Sequence, residues 1–227
     1  LGFFTSDEAI CSDVSDIFNV LTGYSKQKEY KKLFVSPVNM REKFLELINR
    51  EIENASAGKD AKIVIKLNSL VDPAIIAALY EASNSGVEIK LIVRGVCSLI
   101  PGVKDLSENI EVTSIVGRYL EHTRIFYFYN DNNEEVYLSS ADMMQRNLDR
   151  RVELAFPIEN PRLKDEIIKI LIKVSLKDNV KSRILQPDGS YKFTEVKDSA
   201  KIVNSQEWLM NHALKAMGVR TQKPFQK

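Results

Sequence analysis

Short apolar runs alternate with amphipathic stripes opened by a proline, and this alternation leaves the chain few architectures to choose from. The runs lie at 33–35, 63–65 and 87–93. Between the first two, Met40, Phe44, Leu47, Ile48 and Ile52 recur at helical spacing behind Ser36-Pro37. Asp72-Pro73 opens the next stripe, and Asn160-Pro161 precedes Leu163, Ile167, Ile170, Leu171 and Val174. A short polar side chain ahead of proline satisfies free N–H groups of a first helical turn, and the fixed proline φ suits position one. Thr5-Ser6-Asp7-Glu8 reads as a capping box, Thr5 at the cap and Glu8 reaching back. Strand, helix, strand, helix, strand predicts a right-handed, largely parallel α/β unit. The middle is then strand-rich, with runs at 110–116, 123–129, 136–139 and 152–158. Asn130-Asp131-Asn132-Asn133 supplies a hairpin turn between two of them. The expected fold class is α/β, a mixed, mostly parallel sheet flanked by helices. Pro187-Asp188-Gly189 reads as a turn and 206–217 as a last helix.

Charge narrows the partners. Thirty-two basic side chains oppose 31 acidic ones, a net +1 over 227 residues. This excludes a bulk basic footprint for nucleic acid or anionic lipid, so an anion site must be a local concentration of a few residues. Two cysteines, Cys11 and Cys97, are too few for a disulfide framework and fit a reducing compartment. No apolar stretch approaches the length of a membrane span. The chain begins Leu1-Gly2-Phe3-Phe4 without Met, which suggests a segment of a longer polypeptide. A helix at 6–21 followed by polar residues 22–32 sets the first part apart from the rest.

Ligands of open α/β sheets bind beyond the carboxyl ends of the strands. Arg94 follows the run 87–93, with Gly95, Ser98 and Gly102 suited to close backbone approach. An arginine fork grips phosphate oxygens bidentately; the alternative for Arg94 is a surface carboxylate. His122 and Arg124 open the run 123–129 two residues apart, on one face of a strand. A histidine there can carry a proton or act as a nucleophile while the arginine holds a phosphate. The other histidine, His212, falls on the last helix. Glu153 lies in the apolar run 152–158, after Arg146, Arg150 and Arg151. A carboxylate in such a run needs a partner, for which His122 or an arginine is the natural candidate.

These pieces occur in a familiar order. Arg94-Gly95-Val96-Cys97-Ser98 within 91–102, Tyr119-Leu120-Glu121-His122-Thr123-Arg124 within 114–124, and Ser139-Ser140-Ala141-Asp142 with Arg151-Val152-Glu153 resemble signatures of the polyphosphate kinase family. Lys66-Leu67-Asn68-Ser69 and Ser83-Asn84-Ser85-Gly86 upstream resemble it too. The resemblance implies a phospholipase D-like fold in which two related domains face a shared tunnel. Residues 1–31 would be the tail of the first domain, and 32–227 the second. It implies reversible transfer of the ATP γ-phosphoryl to inorganic polyphosphate through a phosphohistidine outside this segment, which alone would be inactive. His122, Glu153 and Arg151 would be catalytic; Arg94, His122 and Arg124 would bind ATP or phosphate. ATP and Mg2+ are the implied cofactors, the metal's ligands lying mostly outside this segment. ATP or ADP, polyphosphate and the rest of the polypeptide are the implied partners, in a cytoplasmic homo-oligomer with peripheral membrane association as a further option. The phospholipase pattern H-x-K-x4-D is degenerate here, with Arg124 at the Lys position and Tyr129 at the Asp position. A phosphodiesterase using His122 as nucleophile and a non-catalytic polyphosphate- or nucleotide-binding module remain the alternatives.

Overall fold

The computed structural model describes residues 3–24, 29–195 and 201–218. The runs become β1 (Phe34–Ser36), β2 (Lys62–Leu67), β3 (Glu88–Val93), β4 (Ile110–Ile115), β5 (Arg124–Phe128), β6 (Glu135–Ser139) and β7 (Glu153–Pro157). Two further strands, β8 (Ser182–Leu185) and β9 (Tyr191–Phe193), complete a nine-stranded sheet ordered β1-β7-β6-β5-β2-β3-β4-β8-β9. The helices are α1 (Glu8–Leu21), α2 (Met40–Ser56), α3 (Pro73–Asn84), α4 (Gln145–Asp149), α5 (Pro161–Ile168) and α6 (Ser205–Ala216), α5 running into a π-helical segment, Lys169–Ser175.

The sheet is mixed, as expected, but not mostly parallel. Among the described strands only β2–β3 and β3–β4 pair in parallel; the other six pairings are antiparallel. The physical reason is the turn at Asn130, Asp131 and Asn132, all at positive φ. So tight a link joins only antiparallel neighbours, and its hairpin, with β7, inserts between β1 and β2. All the same, β1, β2, β3, β4 and β6 point one way, so their carboxyl ends and the amino ends of β5, β7 and β8 share one edge of the sheet.

Side-chain alternation sorts the core between the two faces. Ile63, Ile65 and Leu67 of β2 pack with Phe44 and Ile48 of α2 and Leu79 of α3. Val64 turns to the other face, with Ile92, Ile125, Tyr127 and Leu171 of the π-helical segment. Lys66, next along that face, is buried. The α1 helix docks at the β1 end of the sheet through Ile10 and Ile17 against Leu33 and Val35. There the buried Asp13 carboxylate accepts the backbone N–H groups of Lys31, Lys32 and Leu33.

Helix starts follow the sequence signals at Asp72 and Asn160, whose side chains accept from Ile75 and Leu163 N–H, each at 3.1 Å. Two signals resolve differently. The α1 cap is Asp7, accepting Ile10 N–H at 2.9 Å, while Thr5 accepts from Asp7 N–H. Ser36 stays in β1 opposite Glu153, its hydroxyl donating to Asn147 O, and α2 starts four residues later at Met40.

Candidate phosphate-binding edge

The five side chains expected to act on phosphate lie along the shared edge. Arg94 follows β3, His122 and Arg124 stand at the start of β5, and Arg151 and Glu153 at the start of β7. With strands spaced about 4.8 Å, β3 and β5 are two steps apart and so are β5 and β7. The edge therefore presents Arg94 and the His122 segment about 10 Å apart, and Arg151–Glu153 about 10 Å further on.

Arg94 is fixed at one end only. Its Nε donates to Asn68 Oδ1 at 2.8 Å, and among the described residues neither terminal nitrogen has a hydrogen-bond partner. Its backbone N–H donates to Leu67 O, and Gly95 N–H to Asn68 O. A Cβ on Gly95 would meet Asn68 O at 2.9 Å, so this glycine serves contact with a neighbouring backbone rather than with a ligand. Gly102, at φ +68°, serves a turn.

A buried carboxylate organises the edge. Asp142 Oδ1 accepts the N–H groups of Asn68 (2.7 Å) and Ser69 (3.2 Å), and both its oxygens take the Arg124 guanidinium, Nη2 at 2.8 Å and Nε at 3.2 Å. Burial pushes the Asp142 carboxyl up, but Arg124 and the backbone donors outweigh it and hold the group below its usual value. Arg124 Nη1 donates to His122 O at 2.8 Å. Most of the Arg124 fork is thus committed to Asp142 and to the His122 backbone. The His122 side chain is exposed, with no partner among the described residues. Tyr129, at the end of β5, gives its hydroxyl to Asn132.

Glu121 is a second, half-buried carboxylate, between Lys66 Nζ at 2.6 Å and Gln206 Nε2 at 2.8 Å. Burial raises its pKa, and Lys66, Gln206 and Arg94 together bring it below the usual value. Lys66, Asn68, Arg94, Glu121 and Thr123 line one small cleft, which joins Arg94 to both neighbours of His122. The Nδ2 of Asn68 is buried and has no hydrogen-bond partner among the described residues.

Glu153 is not paired with His122. It accepts Ser140 Oγ at 2.5 Å and Asn147 Nδ2 at 2.8 Å, with Arg151 Nη1 at 3.9 Å. The histidine option fails because β6 lies between the two positions, and Ser140 and Asn147 come from the loop and helix next to β7. Arg151 is exposed. His212 lies away from the edge, stacked on Trp208 and 3.5 Å from Glu166. Sequence reading passed over Asn68, Asp142, Lys66, Glu121 and Gln206 as site residues. Lys66 inside the apolar run of β2 was a usable signal, a charge that must find a partner. Gln206 carried none.

The carboxylates at this edge offer magnesium no ready ligand set. Glu121, Asp142 and Glu153 are each taken up by donors. No group of three metal-binding side chains occurs among the described residues. No helix among them is long and apolar enough to cross a membrane.

Polyphosphate kinase of Synechocystis sp. is 54% identical over 191 residues, 84% of this chain and 26% of its own length. Polyphosphate kinase 1 of Chlorobaculum tepidum is 50% identical over 209 residues, 92% of this chain and 30% of its own. The chain thus spans about a quarter to a third of these relatives. A crystal structure of polyphosphate kinase from Porphyromonas gingivalis superposes with a TM-score of 0.88 at 41% identity, covering 94% of this chain and 32% of that one. Residues 33–206 match the family described as polyphosphate kinase C-terminal domain 2. With more than half of its length inside that match, the chain belongs to the polyphosphate kinase C-terminal domain family.

Proposed function

We propose that this chain forms one wall of an ATP:polyphosphate phosphotransferase site, at the edge that carries Arg94 and His122. The observation that carries the reading is the state of Arg94: anchored through Nε alone, it keeps both terminal amines for a ligand, beside the segment that presents His122. Phosphoryl transfer asks the protein chiefly for positioning and for cations around the phosphate oxygens. Arg94 holds two oxygens of the nucleotide phosphates in its fork. His122 stands in the open, where its ring can hand a proton to the oxygen that leaves as the phosphoryl group departs, or take one in the reverse direction. Arg151, kept near Glu153, accompanies the polyphosphate chain further along the edge. Arg124 commits most of its donors to Asp142 and to the His122 backbone, and its remaining N–H groups can meet a phosphate.

In this reading residues 1–31 end a preceding catalytic domain, and 32–227 make the second. The start of the family match at residue 33 supports that boundary. The phosphohistidine intermediate belongs to the facing domain. Magnesium arrives with the nucleotide, any protein ligand lying elsewhere in the polypeptide. A cytoplasmic location suits a reaction that draws on ATP.

The test is Arg94→Ala in the full-length polyphosphate kinase that contains this segment. Losing a bidentate, charge-assisted contact of about 1.5–3 kcal/mol predicts a roughly 10- to 150-fold fall in kcat/KM for ATP. Unchanged kinetic constants would remove Arg94 from the nucleotide site.

A further inference from the structure

Helix α6 begins where the family match ends, and its second residue reaches into the loop that presents His122. The Gln206 side chain, 6% exposed, pairs with Tyr119 as a neighbouring strand would. Its Oε1 accepts Tyr119 N–H and its Nε2 donates to Tyr119 O, both at 2.8 Å. The second hydrogen of Nε2 goes to Glu121 Oε1, also at 2.8 Å. Exchanging oxygen and nitrogen would set a donor against a donor and one acceptor against two, so this network fixes the amide's orientation.

The loop is shaped to receive the amide. Gly117 lies against it so closely that a Cβ would sit 2.4 Å from Oε1 and 2.7 Å from Cδ. Gly117 does not have positive φ, so alanine there is strained only by that contact. The helix end is itself pinned. Asp178 Oδ2 accepts the N–H and the hydroxyl of Ser205, each at 2.7 Å, while Oδ1 accepts Val180 and Lys181 N–H. Tyr119 Oη adds a contact to Met210 Sδ at 3.4 Å.

We propose that Gln206 is a positioning residue for His122: it latches the 116–121 loop to α6 and so sets where the imidazole stands. This rests on the reading of His122 given above. The latch complements the Arg124 bond to His122 O, so the segment is held from both sides of the histidine. Opening it lets His122 drift by about an ångström, and a misplacement of that size costs on the order of 10- to 100-fold in rate.

The test uses two variants that open the latch from opposite sides, Gln206→Ala and Gly117→Ala, in the full-length polyphosphate kinase that contains this segment. Each should lower kcat at least tenfold with little change in KM for ATP, and the double variant should be no slower than the worse single. In a His122→Ala background either change should cost less than twofold, because the group they position is gone. Hydrogen exchange should rise at Tyr119 N–H while the amides of β2 and β3 stay protected. Full activity of Gln206→Ala, with His122→Ala inactive, overturns the latch and spares the catalytic reading. A loss from Gln206→Ala that persists undiminished in the His122→Ala background also overturns it, since the residue then acts elsewhere. Full activity of His122→Ala overturns the reading on which the latch rests. Should Gln206→Ala unfold, Gly117→Ala reads the same question.

Discussion

Asp142→Asn is the most informative single change to the fold of the edge. The substitution keeps an oxygen able to accept Asn68 and Ser69 N–H, but it turns an NH2 group toward the Arg124 nitrogen that the native carboxylate holds at 2.8 Å. Both partners are largely out of solvent, with side-chain exposures of 15% for Arg124 and 10% for Asp142. Breaking such a pair leaves a buried guanidinium without its counter-charge, which costs about 3–5 kcal/mol. In a domain of this size that corresponds to a fall in Tm of roughly 6–20 °C. Urea unfolding and calorimetry of the chain measure the loss directly. Neutralising Arg124 as well should recover part of it, because the stranded charge is removed along with its partner. A loss below about 1 kcal/mol for Asp142→Asn would refute the reasoning, since that is the scale of an exposed pair.

Two further outcomes follow from the same edge. Glu121 and Asp142 are both held below their ordinary values of 4.5 and 3.8, so as pH falls the unfolded state takes up their protons first. Their contribution is complete above about pH 5 and is lost as pH drops through the folded values; Glu121→Gln should lower stability at neutral pH and flatten this acid limb in urea titrations, and a limb parallel to wild type would contradict it. Gly95→Ala places a methyl 2.9 Å from Asn68 O and should cost about 1–3 kcal/mol in chemical denaturation, with a weaker grip on ATP because Arg94 is the next residue; a neutral result would mean that this backbone contact yields easily.

The parts of the fold written in local chemistry were legible in the sequence. Period-two and period-3.6 apolar patterns placed seven strands and the main helices, because each element needs its own buried face. Direction within the sheet was not legible. Leu33, Phe34 and Val35 look like the first strand of a parallel unit, yet β1 stands at the far edge, displaced by a hairpin whose own turn at Asn130 was plain. The strands β8 and β9 were missed because Ser182, Arg183, Tyr191 and Lys192 give no apolar alternation, and β9 is exposed throughout. Within the site, charged and small residues at strand ends pointed to Arg94, His122 and Glu153. The ion pairs and hydrogen bonds that hold their neighbours Arg124 and Glu121 come from residues more distant in sequence. Asp142 meets Arg124 across 18 positions and Gln206 meets Glu121 across 85, and no local pattern encodes such pairings.

His122→Ala, assayed for ATP-dependent polyphosphate synthesis in the full-length polyphosphate kinase that contains this segment, tests the central claim most directly. A positioned acid–base group contributes about 10²–10⁴-fold, so the account predicts a loss of at least about 10²-fold with unfolding behaviour unchanged. A rate near wild type would contradict it, leaving this edge a passive wall and placing the chemistry wholly in the facing domain.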